Sequence, residues 1–178
     1  MTWGNRHESD RRTFFRASAS LGVTLIGGLV ADRVAWCQAV VSPVPALIQT
    51  PTLTIAYEDN GGKQSFPVIL LHGFPDDVRA WDEVTPPLIK AGYRVLVPYL
   101  RGYGPTRFRD ISPPRMAEQA AIGQDLLDFA DALHVDRFAV AGYDWGGRAA
   151  AIVAALRPDR IRAAVLIGGY TIQNAVAP

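Results

Sequence analysis

The sequence predicts an α/β fold built on a mainly parallel sheet, and three observations carry the prediction. Short apolar runs of strand length alternate with segments of helical period between residues 52 and 167. Two of those runs, Pro67–Leu71 and Ile161–Ile167, are almost continuously apolar, as expected of parallel strands covered on both faces. Turn-forming residues separate the runs, as at Asp59-Asn60-Gly61-Gly62, Gly92 and Pro158.

Taken in order, residues 52–58 alternate apolar and polar as a half-buried strand, and the Asp-Asn-Gly-Gly turn closes it. Pro67–Leu71 is a central strand. Residues 81–90 are helix-like but interrupted by Pro86-Pro87. Residues 93–97 make a third strand after Gly92. Residues 116–133 place Leu126, Leu127, Phe129, Ala130 and Leu133 at helical spacing. A strand over 137–142 and a helix over 148–157 follow, the helix stopping at Pro158. Ile161–Ile167 is the last strand. No internal repeat or low-complexity tract interrupts this order.

Residues 1–39 read as an export address. Arg11-Arg12 is followed after one residue by Phe14-Phe15, then by a charge-free stretch over 17–31 rich in Gly, Ala and Ser, and by Cys37-Gln38-Ala39. The pattern resembles a bacterial twin-arginine signal, with Asp10 where Ser or Thr is usual, and implies engagement with export machinery and a periplasmic or secreted product. As a helix the charge-free stretch would reach only about 22 Å, short of the roughly 30 Å hydrocarbon core of a membrane. Bulky Trp36 before Cys37 argues against a lipoprotein. Residues 40–50, with Pro43 and Pro45, suggest an extended linker into a domain over 51–178.

The totals exclude several functions. With 18 Lys+Arg against 17 Asp+Glu, nothing attracts nucleic acid. One cysteine, Cys37, excludes an intramolecular disulfide and a Cys/His zinc site, and no cofactor or metal is implied. There are three histidines: His7, His72 and His134.

The chemistry is concentrated in Gly142-Tyr143-Asp144-Trp145-Gly146-Gly147, between a strand and a helix. Glycines two positions either side of Asp144 suit a sharp turn with its central residue strained and exposed, the geometry of a nucleophile elbow with aspartate in place of serine. A carboxylate attacking an acyl ester would form a reactive anhydride. Attack on a tetrahedral carbon bearing an epoxide oxygen or a halide gives an ordinary alkyl ester, which water splits. The same residues also suit a Gly-rich helix start whose acid complements the positive end of the helix dipole.

Two further motifs stand at strand ends: His72-Gly73-Phe74-Pro75 after Leu71, and Arg101-Gly102-Tyr103-Gly104 after the next strand. With the Asp144 elbow third in order, residues 50–170 resemble the α/β-hydrolase superfamily in its epoxide hydrolase and haloalkane dehalogenase branch. The resemblance implies a small-molecule substrate, an epoxide or alkyl halide. It implies Asp144 as nucleophile and an oxyanion hole from the backbone N–H groups of Phe74 and Trp145. It also implies a cis peptide at Pro75, with His72, Gly73, Gly142 and Gly146 supporting the site. The Arg101–Gly104 motif reads as a loop anchor rather than a phosphate cradle, since no Lys-Ser/Thr follows.

Asp144-Trp145-Gly146-Gly147 favours epoxide hydrolase. A haloalkane dehalogenase would use the Trp145 ring N–H on halide, but its usual second donor falls at Phe74, which has none. Tyr143 departs from the His often found before the nucleophile in epoxide hydrolases. A non-catalytic remnant or binding module is the competing class. The resemblance places the base histidine, its orienting acid and a cap domain after the last strand found before Pro178. The sequence-level expectation is therefore a hydrolase core truncated after about the sixth strand, a fragment, frameshift product or half of a split protein. Such a chain would form the ester without efficient turnover and expose Ile161–Ile167 as a self-associating edge.

Overall fold

The computed structural model describes residues 44–110 and 115–169. The export segment expected at 1–39 and the start of the expected linker lie outside the described residues. Seven strands among the described residues form one sheet: β1 (Ala46–Gln49), β2 (Leu53–Asn60), β3 (Pro67–Leu71), β4 (Arg94–Pro98), β5 (Arg107–Phe108), β6 (Phe138–Tyr143) and β7 (Ile161–Ile167). Three α-helices among the described residues accompany them, α1 (Thr85–Lys90), α2 (Gln119–Ala132) and α3 (Asp144–Leu156), with a 3₁₀ turn at Val78–Trp81.

The order across the sheet is β1-β2-β4-β3-β6-β7, with β5 beside β2. Strands β4, β3, β6 and β7 run parallel, while β2 is antiparallel to β1, β4 and β5. Strand β3 lies between β4, which follows it directly, and β6, which comes later. The chain therefore leaves β3 on one side and returns on the other. At such a reversal, loops leaving neighbouring strand ends open a crevice. Leu71 on β3 pairs with Gly142 on β6, so the His72 loop and the Asp144 elbow leave the sheet at the same level.

Alternation along the strands divides the core between the two faces. Ile69 and Leu71 of β3, Leu96 of β4 and Val140 of β6 pack with Ile122, Leu126 and Phe129 of α2 and Ala149, Ala150 and Val153 of α3. Val68, Leu70, Val95 and Val97 face the other way, onto Val78 and Trp81, with Leu88 of α1 against them. Small residues bring α2 and α3 together: a Cβ on Gly123 would already lie 3.3 Å from the Ile152 side chain.

Three expectations need adjustment. Residues 46–49, expected within a linker, are extended but form β1, because Ala46 through Gln49 find a complete antiparallel partner in Thr54 through Tyr57. The sheet also gains β5, a two-residue strand too short to show a period, so Ile161–Ile167 is the seventh strand rather than about the sixth. The helix expected over 81–90 splits into the 3₁₀ turn and α1. Pro86 and Pro87 lack the N–H that a continuous helix would use, and they sit in the first turn of α1, where that loss is tolerated.

Strand β7 pairs with β6 in parallel, and its apolar residues Val165, Leu166 and Ile167 are exposed. An apolar cavity of about 650 Å³ runs between α1 and β7, lined by Leu70, Trp81, Leu88, Ala141 and Val165 among others. No helix among the described residues is long and apolar enough to cross a membrane.

Candidate active site

Asp144 opens α3 directly after β6, with φ at +49°. That left-handed conformation is disfavoured for a residue with a Cβ, so packing on both sides must hold it. The glycines do so by permitting close approach. A Cβ on Gly146 would fall 2.3 Å from the Leu71 carbonyl oxygen and 2.5 Å from that of His72. One on Gly142 would meet the Gly146 carbonyl at 2.5 Å. The turn is thus pressed against the end of β3 by contacts that involve backbone and cannot give way. Gly146→Ala is expected to cost about 3 kcal/mol, the upper part of the overpacking range, read as a lowered urea midpoint.

The loop after β3 meets the elbow from the other side. Gly73 lies so close that a Cβ there would fall 2.6 Å from the Asp144 Cβ. The Phe74–Pro75 peptide is cis. The Phe74 N–H donates to Asp144 Oδ1 at 2.9 Å, leaving Oδ2 as the other oxygen. Phe74 as a residue is 69% exposed. Trp145 is the second residue of α3, so its N–H belongs to the first turn, where backbone donors lack intrahelical acceptors. Its ring carries the Arg148 guanidinium 4.9 Å from the ring centroid. Asp144 does not line the cavity of about 650 Å³ between α1 and β7.

His72 is fully buried beneath the loop. Its Nε2 accepts the Leu100 N–H at 3.1 Å, and Nδ1 lies 3.2 Å from the Gly73 carbonyl oxygen. Those partners assign the proton to Nδ1 and make the ring a brace between the ends of β3 and β4. Tyr103 packs edge-on against it, ring centroids 4.6 Å apart. Burial lowers the imidazole pKa, more than its hydrogen bond to Gly73 and the nearby Asp77 and Asp76 raise it. A depressed folded value means that the unfolded chain binds the proton first, so stability falls as pH drops below 6.5. Between pH 7.5 and 5.5 the urea midpoint is expected to fall, and His72→Asn to flatten that slope, by at most about 1.4 kcal/mol per pH unit.

His134 stands at the far end of β6, after α2, in a left-handed conformation of its own (φ 54°). The strand between it and the elbow spans roughly 20 Å at about 3.3 Å per residue. The described histidines thus put no free imidazole beside Asp144. No metal-binding cluster of His, Cys, Asp or Glu occurs among the described residues.

The Arg101 motif is an anchor. Its guanidinium grips the Asp125 carboxylate of α2 with two bonds, 2.6 and 2.7 Å, and also donates to the carbonyls of Met116 and Ala121. Thr106, buried after the same loop, accepts the Ala56 N–H and donates to the Tyr99 carbonyl. Sequence reasoning missed Asp125, Thr106, and Asp76, which accepts a hydrogen bond from the Tyr143 hydroxyl at 3.0 Å. An acid eight residues before the end of a predicted amphipathic helix, on its apolar face, was the available signal for Asp125.

A sequence comparison decides the family. Residues 67–178 match the family described as alpha/beta hydrolase fold. The chain belongs to the α/β hydrolase fold family. Within it, the chain is 37% identical over 109 residues to epoxide hydrolase 2 of Siraitia grosvenorii, covering 60% of this chain and 33% of that protein. It is 35% identical over 130 residues to the haloalkane dehalogenase of Mycobacterium marinum, covering 70% and 41%. The crystal structure of a candidate epoxide hydrolase from Klebsiella pneumoniae superposes with a TM-score of 0.70 at 46% identity, over 72% of this chain and 43% of that one. The chain thus spans about a third of the Siraitia relative's length. This α/β hydrolase core carries its acidic elbow where the family fold places loops at the C-terminal ends of parallel strands.

Proposed function

We propose that this α/β hydrolase core acts as an epoxide hydrolase does, with Asp144 as nucleophile on a small epoxide. Oδ2 donates a lone pair to a ring carbon, the carbon–oxygen bond of the epoxide breaks, and the released alkoxide takes a proton from solvent. The product is an alkyl ester of Asp144. Water attacking the ester carbonyl carbon would place negative charge on Oδ1, and the Trp145 N–H completes a pair of donors with Phe74.

The observation that carries the reading is the 2.9 Å bond from the Phe74 N–H to Asp144 Oδ1. In acyl transfer by a serine, the donors face the substrate's oxygen. Here a donor faces the protein's own carboxylate, so the tetrahedral centre it suits is the Asp144 carboxyl carbon. Ester hydrolysis also needs a base, and His72 and His134 are both occupied or distant. With neither described histidine placed as that base, an ester formed at Asp144 is expected to persist long enough to be detected.

Peptide mapping after incubation with styrene oxide tests this, the added mass being expected on Asp144. An adduct confined to another residue sinks the reading. Dehalogenation is the second reading, favoured by Trp145 and by the Mycobacterium marinum relative. It predicts bromide release from 1-bromobutane with no labelling by styrene oxide. Phe74 argues against it, because its side chain offers halide no second donor.

A further inference from the structure

The loop over 72–77 touches the elbow at three places. Gly73 is pressed against Asp144, the Phe74 N–H binds Oδ1, and 3.0 Å separates the Tyr143 hydroxyl from the Asp76 Oδ2 it donates to. The third contact is the one that the proposed chemistry does not use. Tyr143 is the last residue of β6, directly before Asp144, and its side chain lies on the α1 face of the sheet. Its ring packs at a tilt on Trp81, centroids 5.6 Å apart, at the end of the 3₁₀ turn that follows the loop. Asp77 closes the start of that turn by accepting the Arg79 N–H at 2.8 Å. One side chain thus reaches both Asp76 and Trp81, while Phe74 lies in the short span between Asp76 and the end of β3.

We propose that Tyr143 and Asp76 form a latch that holds the Phe74 N–H in line with Asp144, making Tyr143 a positioning residue of this site. The hydroxyl is suited to that work: burial first, then its bond to Asp76 and the charges of Asp76 and Asp144, raise its pKa against the lowering effect of a Gly73 backbone contact, so it remains a donor across the neutral range. The bond joins the residue before the nucleophile to the second residue after the oxyanion donor. A shift of the loop along the crevice therefore has to break it before Phe74 can leave Oδ1. Phenylalanine at 143 would keep the packing on Trp81 and lose the hydroxyl's bonds to the loop, at Asp76 and at the Gly73 backbone.

The latch bears on catalysis only through the proposed role of Asp144, but its geometry can be measured without any reaction. Hydrogen exchange of the Phe74 amide, followed by NMR in the 178-residue chain, is the direct readout. Tyr143→Phe and Asp76→Ala should each speed that exchange about fivefold, the equivalent of one ordinary hydrogen bond. The double variant should be no faster than Tyr143→Phe alone, because removing the hydroxyl already removes the Asp76 bond. The maximal rate of styrene oxide labelling should fall in parallel, with the half-saturating concentration unchanged. Unaltered Phe74 exchange, or effects that simply add, would overturn the latch whatever the labelling shows. Accelerated exchange without any labelling of the parent chain would instead overturn Asp144 as nucleophile and leave the latch standing.

Discussion

The Asp144→Asn variant is expected to gain no mass on incubation with styrene oxide, while the parent chain gains one adduct that survives removal of the free epoxide. Asparagine keeps the shape, the left-handed backbone that Asn tolerates well, and an oxygen able to accept from Phe74. What it loses is the anionic second oxygen. An amide is a poor nucleophile toward a neutral epoxide, so labelling should drop by on the order of a thousandfold or more. The persistence of the parent adduct carries separate information. Hydrolysis of an alkyl ester near neutral pH needs a base to take a proton from water. His72 has Nε2 committed to the Leu100 N–H, and His134 lies beyond the opposite end of β6. An intact-mass time course checks both points. Equal labelling of the variant would move the nucleophile elsewhere, and rapid loss of the parent adduct would show a base at work that these histidines do not provide.

Asp125→Ala is expected to be the most destabilising of the substitutions considered, by about 3–5 kcal/mol in urea unfolding. Both members of the Arg101–Asp125 pair are more than nine-tenths buried by side-chain area. The forked geometry favours a lowered carboxyl pKa, yet burial dominates and lifts it above 3.8 despite the adjacent guanidinium. The sign is informative. A folded value above the unfolded one means that Asp125's own titration favours the fold at low pH, and that this contribution is lost as pH rises through the folded value. At neutral pH the pair is held together against a desolvation cost, so removing the acid alone leaves a buried guanidinium without its counter-charge. Replacing both partners, Arg101→Met with Asp125→Leu, removes the cost along with the bond and should land within about 2 kcal/mol of the parent. A single variant as stable as the parent would mean that Arg101 relaxes to solvent and that the loop is not anchored there. The anchor matters to the site because the same loop carries Tyr103, which abuts His72 under the Phe74 loop.

Each kind of feature was legible to a different degree, for reasons that can be named. The elbow could be seen because its demands are local. Gly142 and Gly146 flank Asp144 within five residues, and a side chain at either would strike backbone. The alternating strands and helices were legible because burial on a sheet face imposes a period on the side chains themselves. Strand β1 was not, since whether residues 46–49 are linker or strand depends on whether residues 54–57 offer an open edge. Strand β5 has two residues and no pattern to read.

The sequence by itself determined the fold class, the order of the three motifs and the presence of a carboxylate at a strand-to-helix turn, because periodicity and glycine spacing act over a few residues. Only the tertiary structure decided which groups meet. Phe74 and Asp144 are 70 residues apart, Asp76 and Tyr143 are 67 apart, and Arg101 and Asp125 are 24 apart. Hydrogen bonds over such distances depend on where the sheet delivers each backbone. The pairing of Leu71 with Gly142, which puts the loop and the elbow at one level, is written in no single stretch of the chain.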